Sequence, residues 1–223
     1  MPSRRPLFRT RRAGAALVGC AGDPPAPAPE APTPPAAPTP PPPPPAPAGL
    51  TGAALDGTWQ GPCYPSPAGD GSFNQLTFRM TPTTWDLDYV AHGDAACSGS
   101  AVFLTVNIKG PYTIGAPSPV APGAHEGTFS FAQKSVTAGQ EAAVGFLKEK
   151  CGFDAKVGAP VDLAAGCANL GAYPLADCKD DHDIVQLEGG TLRFGKRPAD
   201  NNMCTPDKRP TAFEGGAAVT KKG

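Results

Sequence analysis

The chain has 223 residues, a formal net charge of −1, 30 prolines and 27 glycines, with aromatic residues at 7%. Charges of both signs are interspersed and no basic patch alternates with aromatics, which argues against a nucleic-acid partner. No stretch approaches the about 20 apolar residues of a membrane-spanning helix.

Residues 1–12 carry five arginines and no acid, followed by the apolar stretch Ala13-Gly14-Ala15-Ala16-Leu17-Val18-Gly19 and then Cys20. A positive n-region, an apolar h-region and small residues before a cleavage point form a secretory signal, read here as residues 1–19. Leu17-Val18-Gly19-Cys20 resembles the bacterial lipobox, in which the cysteine is acylated and becomes the new N-terminus. The competing reading is an unprocessed basic tail, because the apolar stretch is at the short end for an h-region. Ser3-Arg4-Arg5-Pro6-Leu7-Phe8-Arg9 also resembles a twin-arginine export motif.

Residues 20–49 are read as a lipidated N-terminus and a proline-rich disordered linker. Between Asp23 and Ala48, 15 of 26 residues are proline. Proline fixes φ and removes the amide donor, so neither helix nor sheet is expected. An extended polyproline spacer rising about 3.1 Å per residue would hold a domain away from a membrane.

Seven cysteines are present. With Cys20 assigned to lipid, Cys63, Cys97, Cys151, Cys167, Cys178 and Cys204 remain, an even set that implies disulfides in an oxidising compartment. Six cysteines allow 15 pairings, and the spacing selects none of them.

From Leu55 onwards the pattern is mainly strand-like, and residues 50–215 are read as one domain. Residues 73–80 alternate with Leu76, Phe78 and Met80 on one face, and 83–90 place Trp85, Leu87 and Tyr89 on one face. Thr81 and Pro82 between them suggest a tight hairpin. A more buried strand is expected over 101–108, broken at Gly110-Pro111 and resumed over 112–115. Residues 126–136 alternate again through Phe129 and Phe131. Thr137-Ala138-Gly139-Gln140 has capping-box spacing, and Ala143, Leu147 and Cys151 then share a helix face that Gly152 ends. Residues 154–181 read as an irregular loop. Short strands return at 183–187 and 191–194, and 216–223 read as a flexible tail. Sequential antiparallel strands with one late helix predict a mainly β fold, a single antiparallel β-barrel or half-barrel that the helix plugs or covers.

Several motifs together resemble the domain of the adenomatosis-polyposis-coli-down-regulated proteins. They are Leu55-Asp56-Gly57-Thr58-Trp59 with Cys63, then Trp85, Asp94-Ala95-Ala96-Cys97, Gly110-Pro111-Tyr112 with Ile114-Gly115, the helix ending in Cys151-Gly152, and the strand around 183–187. The resemblance spans most of residues 54–213 and extends to bacterial lipoproteins that carry such a domain. It implies a lipocalin-like half-barrel with a concave apolar face for a lipid or acyl chain, and it implies a Cys63–Cys97 disulfide. Cys151–Cys178 and Cys167–Cys204 are then the expected remaining pairs. The family's animal members have two such domains and a membrane span, so their signalling role does not transfer.

No Gly-x-Ser-x-Gly elbow, His-Glu-x-x-His helix or Walker-type loop occurs, and no enzymatic activity, metal or cofactor is expected. His92 and His125 are expected as exposed turn residues. The run from Asp177 to Asp183, with His182 inside it, offers oxygen and imidazole ligands but lacks a cation-loop spacing. A solvated turn is the favoured reading of it. Asp207-Lys208-Arg209-Pro210 reads as a surface turn whose Arg209 could meet a buried carboxylate or a headgroup. Trp59, Phe78, Trp85, Tyr89 and Phe103 are the candidate ligand-lining residues. The expectation is therefore a monomeric lipoprotein of the bacterial envelope (outer membrane, periplasmic or surface face), held by Cys20 and binding an apolar ligand. The alternative is a structural or interaction protein with a filled barrel core.

Overall fold

The structure is a computed structural model that describes residues 49–67 and 69–223. The expected signal segment, the Cys20 anchor and the proline-rich spacer up to Ala48 lie outside the described residues.

A single helical turn, α1 (Gly52–Leu55), leads into β1 (Gly57–Gln60) and the two-residue β2 (Tyr64–Pro65). The hairpin of β3 (Phe73–Met80) and β4 (Thr84–His92) follows as the alternation predicts. Next comes the 16-residue β5 (Val102–Pro117), then β6 (His125–Ser130) and β7 (Gln133–Ala138). The helix α2 (Glu141–Cys151) precedes β8 (Pro160–Asp162), β9 (Asp180–Glu188), β10 (Thr191–Phe194) and β11 (Ala218–Lys221). Antiparallel pairing runs β1–β3–β4–β5–β6–β9–β10–β11 and returns to β1, a closed eight-stranded barrel.

Four expectations are corrected. The residues read as a flexible tail contain the closing strand: β11 pairs Val219 with Leu192 and Lys221 with Trp59, and Val219 is fully buried. Its signal is a four-residue Ala-Val-Thr-Lys run with one buried side chain, too short to show a period. Gly110-Pro111 does not break β5. A Cβ on Gly110 would lie 2.0 Å from the Ser130 carbonyl oxygen, so glycine permits the close crossing where β6 gives way to β7. The helix begins at Glu141 with Gln140 as its N-cap, because Thr137 is taken by β7, where it pairs with Thr105 and Pro160. The span 154–181 is not one structureless loop, since β8 extends the sheet beside β7.

The sheet rows show how the interior fills. Across β3, β4 and β5 the inward positions line up as Met80–Trp85–Gly110, Phe78–Leu87–Ile108, Leu76–Tyr89–Val106 and Asn74–Ala91–Leu104. The lower rows join Leu55, Trp59, Tyr112, Phe129, Val185, Leu192, Phe194 and Val219 in one core. Such side chains contribute about 1.5–3 kcal/mol each when fully buried. The upper rows meet α2 through Ala143 and Leu147, together with Val136, Ala138 and Leu163, in a second core that shares Ile108 with the first. The helix thus covers the upper part of the concave face. Its last residue is followed by Gly152 in the left-handed region (φ 75°), whose N–H donates to the Leu147 and Lys148 carbonyls.

Three disulfides staple this frame. Cys63–Cys97 forms as expected. The other two differ from the expectation: Cys151 pairs with Cys167 and Cys178 with Cys204. Each bond joins segments that the backbone already brings together. After β8 the chain returns under the end of α2, where Asn169 Nδ2 donates to the Lys150 carbonyl at 2.9 Å. Cys178 stands just before β9, beside which His182 N–H donates to the Met203 carbonyl at 2.8 Å.

Candidate functional site

The base of the lumen is filled by rings in contact. Phe78 stacks on Phe194 at 4.6 Å, Phe194 meets Phe129 at 5.8 Å, and Phe129 stacks on Tyr112 at 5.6 Å. Trp85 meets Phe129 edge-on at 5.3 Å. Phe78 and Phe194 stand on strands that are not neighbours, so their contact crosses the lumen. Gly127 makes room for the Phe129 ring, because a Cβ there would lie 2.9 Å from it. The polar edges of these rings are tied down: Trp59 Nε1 donates to Leu55 O at 2.8 Å, Trp85 Nε1 to Ser130 O at 3.2 Å, and Tyr112 OH to Thr81 O at 2.9 Å. Among the proposed ligand-lining residues, Trp59, Phe78 and Trp85 are therefore buried core of the barrel base.

Above this base the inward side chains are less completely buried. Leu76, Leu87, Tyr89 and Ile108 face inward yet remain partly exposed. Tyr89 is thus the one of the five that belongs to this partly exposed inward set. Phe103 instead meets Phe146 of α2 edge-on at 5.9 Å. Burial, then the neighbouring Tyr64, hold the Tyr89 hydroxyl well above its ordinary pKa. Asn74, in the uppermost inward row, is 2% exposed and its Nδ2 has no hydrogen-bond acceptor. A buried donor left without a partner is uncommon, and water or a ligand oxygen is the usual answer.

The run from Asp177 to Asp183 is split by strand alternation. Asp181 and Asp183 pair across from Phe129 and Gly127 and so face inward, whereas His182 faces outward, its Nδ1 3.4 Å from Thr128 Oγ1. Among the described residues no group of three His, Cys, Asp or Glu side chains is placed to hold a metal ion. Asp181 pairs with Arg197 at 2.8 Å. Asp183 is 3% exposed and accepts the backbone N–H groups of Ile184 (2.7 Å) and Gly195 (2.8 Å). Burial, reinforced by the Asp181 charge, pushes its carboxyl up to about 7. Lys134 projects inward from β7, with Nζ 3.8 Å from the Phe131 ring centre, and burial lowers its pKa.

The histidines are less exposed than expected. His92 is 4% exposed with Nδ1 3.2 Å from the Ser98 carbonyl, and His125 Nε2 accepts the Leu50 N–H at 3.2 Å. Arg209, expected on a surface turn, reaches into the wall. Its Nη1 donates to the Gly127 carbonyl at 2.6 Å and also to the Asp183 carbonyl, and its Nη2 stands 3.7 Å from Glu126. Nothing in a polar turn sequence announces an arginine that ties two strands together.

Compared with known proteins, the sequence matches no protein-family model and no curated relative.

Asp183 gives the domain a pH dependence of definite sign. The folded carboxyl keeps its proton up to about 7, while the unfolded one releases it near pH 4, about the ordinary value. The folded state therefore binds more protons in that window, and stability falls as pH rises through it, by on the order of 4 kcal/mol in total. Asp181, paired with Arg197, and Lys134 face the same inward side, and His182 and Arg209 stand on the outward side. Comparing Asp183→Asn with the parent protein therefore isolates the Asp183 term. Urea unfolding at several pH values between 4 and 8 should show the Asn variant gaining relative to the parent as pH rises. A constant difference between the two would contradict this.

Proposed function

We propose that the protein is a non-enzymatic, lipocalin-like binding module of the bacterial envelope that takes an apolar group into the upper half of its barrel. The observation that carries this reading is the row of inward but partly exposed Leu76, Leu87, Tyr89 and Ile108 above a sealed ring-filled base. Small eight-stranded barrels either fill with side chains or hold one small ligand, and here the two behaviours are divided by height. Asn74 Nδ2 supports the reading from the polar side, as a donor for a carboxylate or ester oxygen. Each methylene drawn against these side chains would contribute about 0.8 kcal/mol. The resemblance to the adenomatosis-polyposis-coli-down-regulated domain points to the same ligand class.

A second reading is favoured by the ring chain itself: a filled barrel that works through its outer surface. Native mass spectrometry of the full chain carrying Cys20→Ser, titrated with dodecanoic acid, separates the two. One bound fatty acid is expected, with at least tenfold weaker uptake by Leu87→Glu, measured below the melting temperature of that variant. Absence of uptake by the parent protein would leave the filled-barrel reading standing.

The envelope location rests on the Cys20 motif, the adjoining spacer and the three disulfides. Expressed in a bacterium supplied with radiolabelled palmitate, the chain should incorporate label, and Cys20→Ser should not. Equal labelling, or none in either, would remove the anchor from the account.

A further inference from the structure

A surface pocket of about 270 Å³ lies between residues 196–199 and 209–212, in the segment that joins β10 to β11. Its lining contains three cations, Lys196, Arg197 and Arg209, together with Thr211, and no carboxylate. The rest is proline and alanine, which add no competing polar group.

The two arginines are held in place by bonds that leave donors over. Arg197 is fixed by Asp181 on Nη1 and by Asn201 Oδ1 on Nε, so its Nη2 has no protein partner among the described residues. Asn201 adopts a left-handed backbone (φ 56°) and also donates to the Gly171 carbonyl at 2.9 Å. That conformation is uncommon outside glycine but tolerated by asparagine, and here it sets the side chain that steadies Arg197. Arg209, 12% exposed at its side chain, commits Nη1 to two backbone carbonyls and leaves its Nε–H without an acceptor among the described residues. Lys196 is exposed and makes no ion pair among the described residues. Asp181 and Glu126 offset the two arginines, so the Lys196 charge is the surplus. A guanidinium held by some of its donors presents the others without further ordering, which favours a bidentate oxyanion.

We propose that this pocket is a binding site for a phosphate group. At about 270 Å³ it falls below the roughly 300–1,000 Å³ of pockets for drug-sized ligands, so the group is a small ion or the headgroup of a larger molecule. The charge pattern is the same for free phosphate and for an anionic phospholipid headgroup, and the test separates these sources.

The full chain carrying Cys20→Ser, so that no acyl anchor contributes, is titrated with inorganic phosphate by calorimetry. It is also sedimented with phosphatidylcholine vesicles with and without added phosphatidylglycerol. Lys196→Glu is the informative variant, because the Lys196 side chain makes no hydrogen bond or ion pair among the described residues, and Lys196→Arg is its conservative partner. Phosphate binding in the millimolar range, weakened at least tenfold by Lys196→Glu and kept by Lys196→Arg at unchanged melting temperature, supports a free-phosphate site. Sedimentation only with phosphatidylglycerol vesicles, lost in Lys196→Glu, supports a headgroup site. Binding of neither probe, or equal binding by Lys196→Glu, overturns the proposal.

Discussion

β1 and β10 would each present an unpaired edge if β11 did not lie between them. The pairs Trp59↔Lys221 and Leu192↔Val219 remove both edges at once, and Lys222 N–H adds a bond to the Thr58 carbonyl at 2.8 Å. Closure fixes the strand number at eight, and the strand number fixes a lumen just wide enough for side chains. Only in a lumen of that width can Phe78 reach Phe194 across it. The sealed base and the partly exposed row above it are both consequences of this closure.

The polar side of the interior follows from where the barrel wall changes partner. β6 pairs with β9, but its continuation β7 pairs with β8, so the sheet forks beside Phe131. Lys134, Asp181, Asp183 and Arg197 stand around that fork. Asp181 and Arg197 neutralise each other, Asp183 is held by two backbone N–H groups, and Lys134 rests on a ring while donating to the Tyr173 carbonyl at 3.3 Å. Removing one partner of such a set leaves an uncompensated buried group. The same contacts fasten residues 196–216, which leave the barrel after β10 and return as β11, to the wall.

How much of this was legible in the sequence differs element by element. The β3–β4 hairpin was readable because its alternation is unbroken and its inward residues are large. The buried face of α2 was readable at Ala143, Leu147 and Cys151, but its start was not, since Thr137 satisfies a cap pattern and a strand pattern equally well. β9 was read short because Asp181 is charged yet faces inward, where alternation calls for an apolar residue. The closing strand escaped because four residues with one buried valine carry no detectable period. For the candidate site, the aromatic residues were the visible signal, yet Trp59, Phe78 and Trp85 fill the base. The aliphatic Leu76, Leu87 and Ile108, partly exposed above it, carry no sequence signal that separates them from core. The cationic pocket draws Lys196 and Arg197 from one segment and Arg209 from another, and only the fold brings them together.

Amide hydrogen exchange across the closing strand tests the central claim most directly. If the barrel is closed, the hydrogen-bonded amides of residues 218–221 are protected to the same degree as those of 191–194. Exchange of 218–221 at the rate of an unstructured chain, with 191–194 still protected, would contradict the closed barrel and the filled lumen that depends on it.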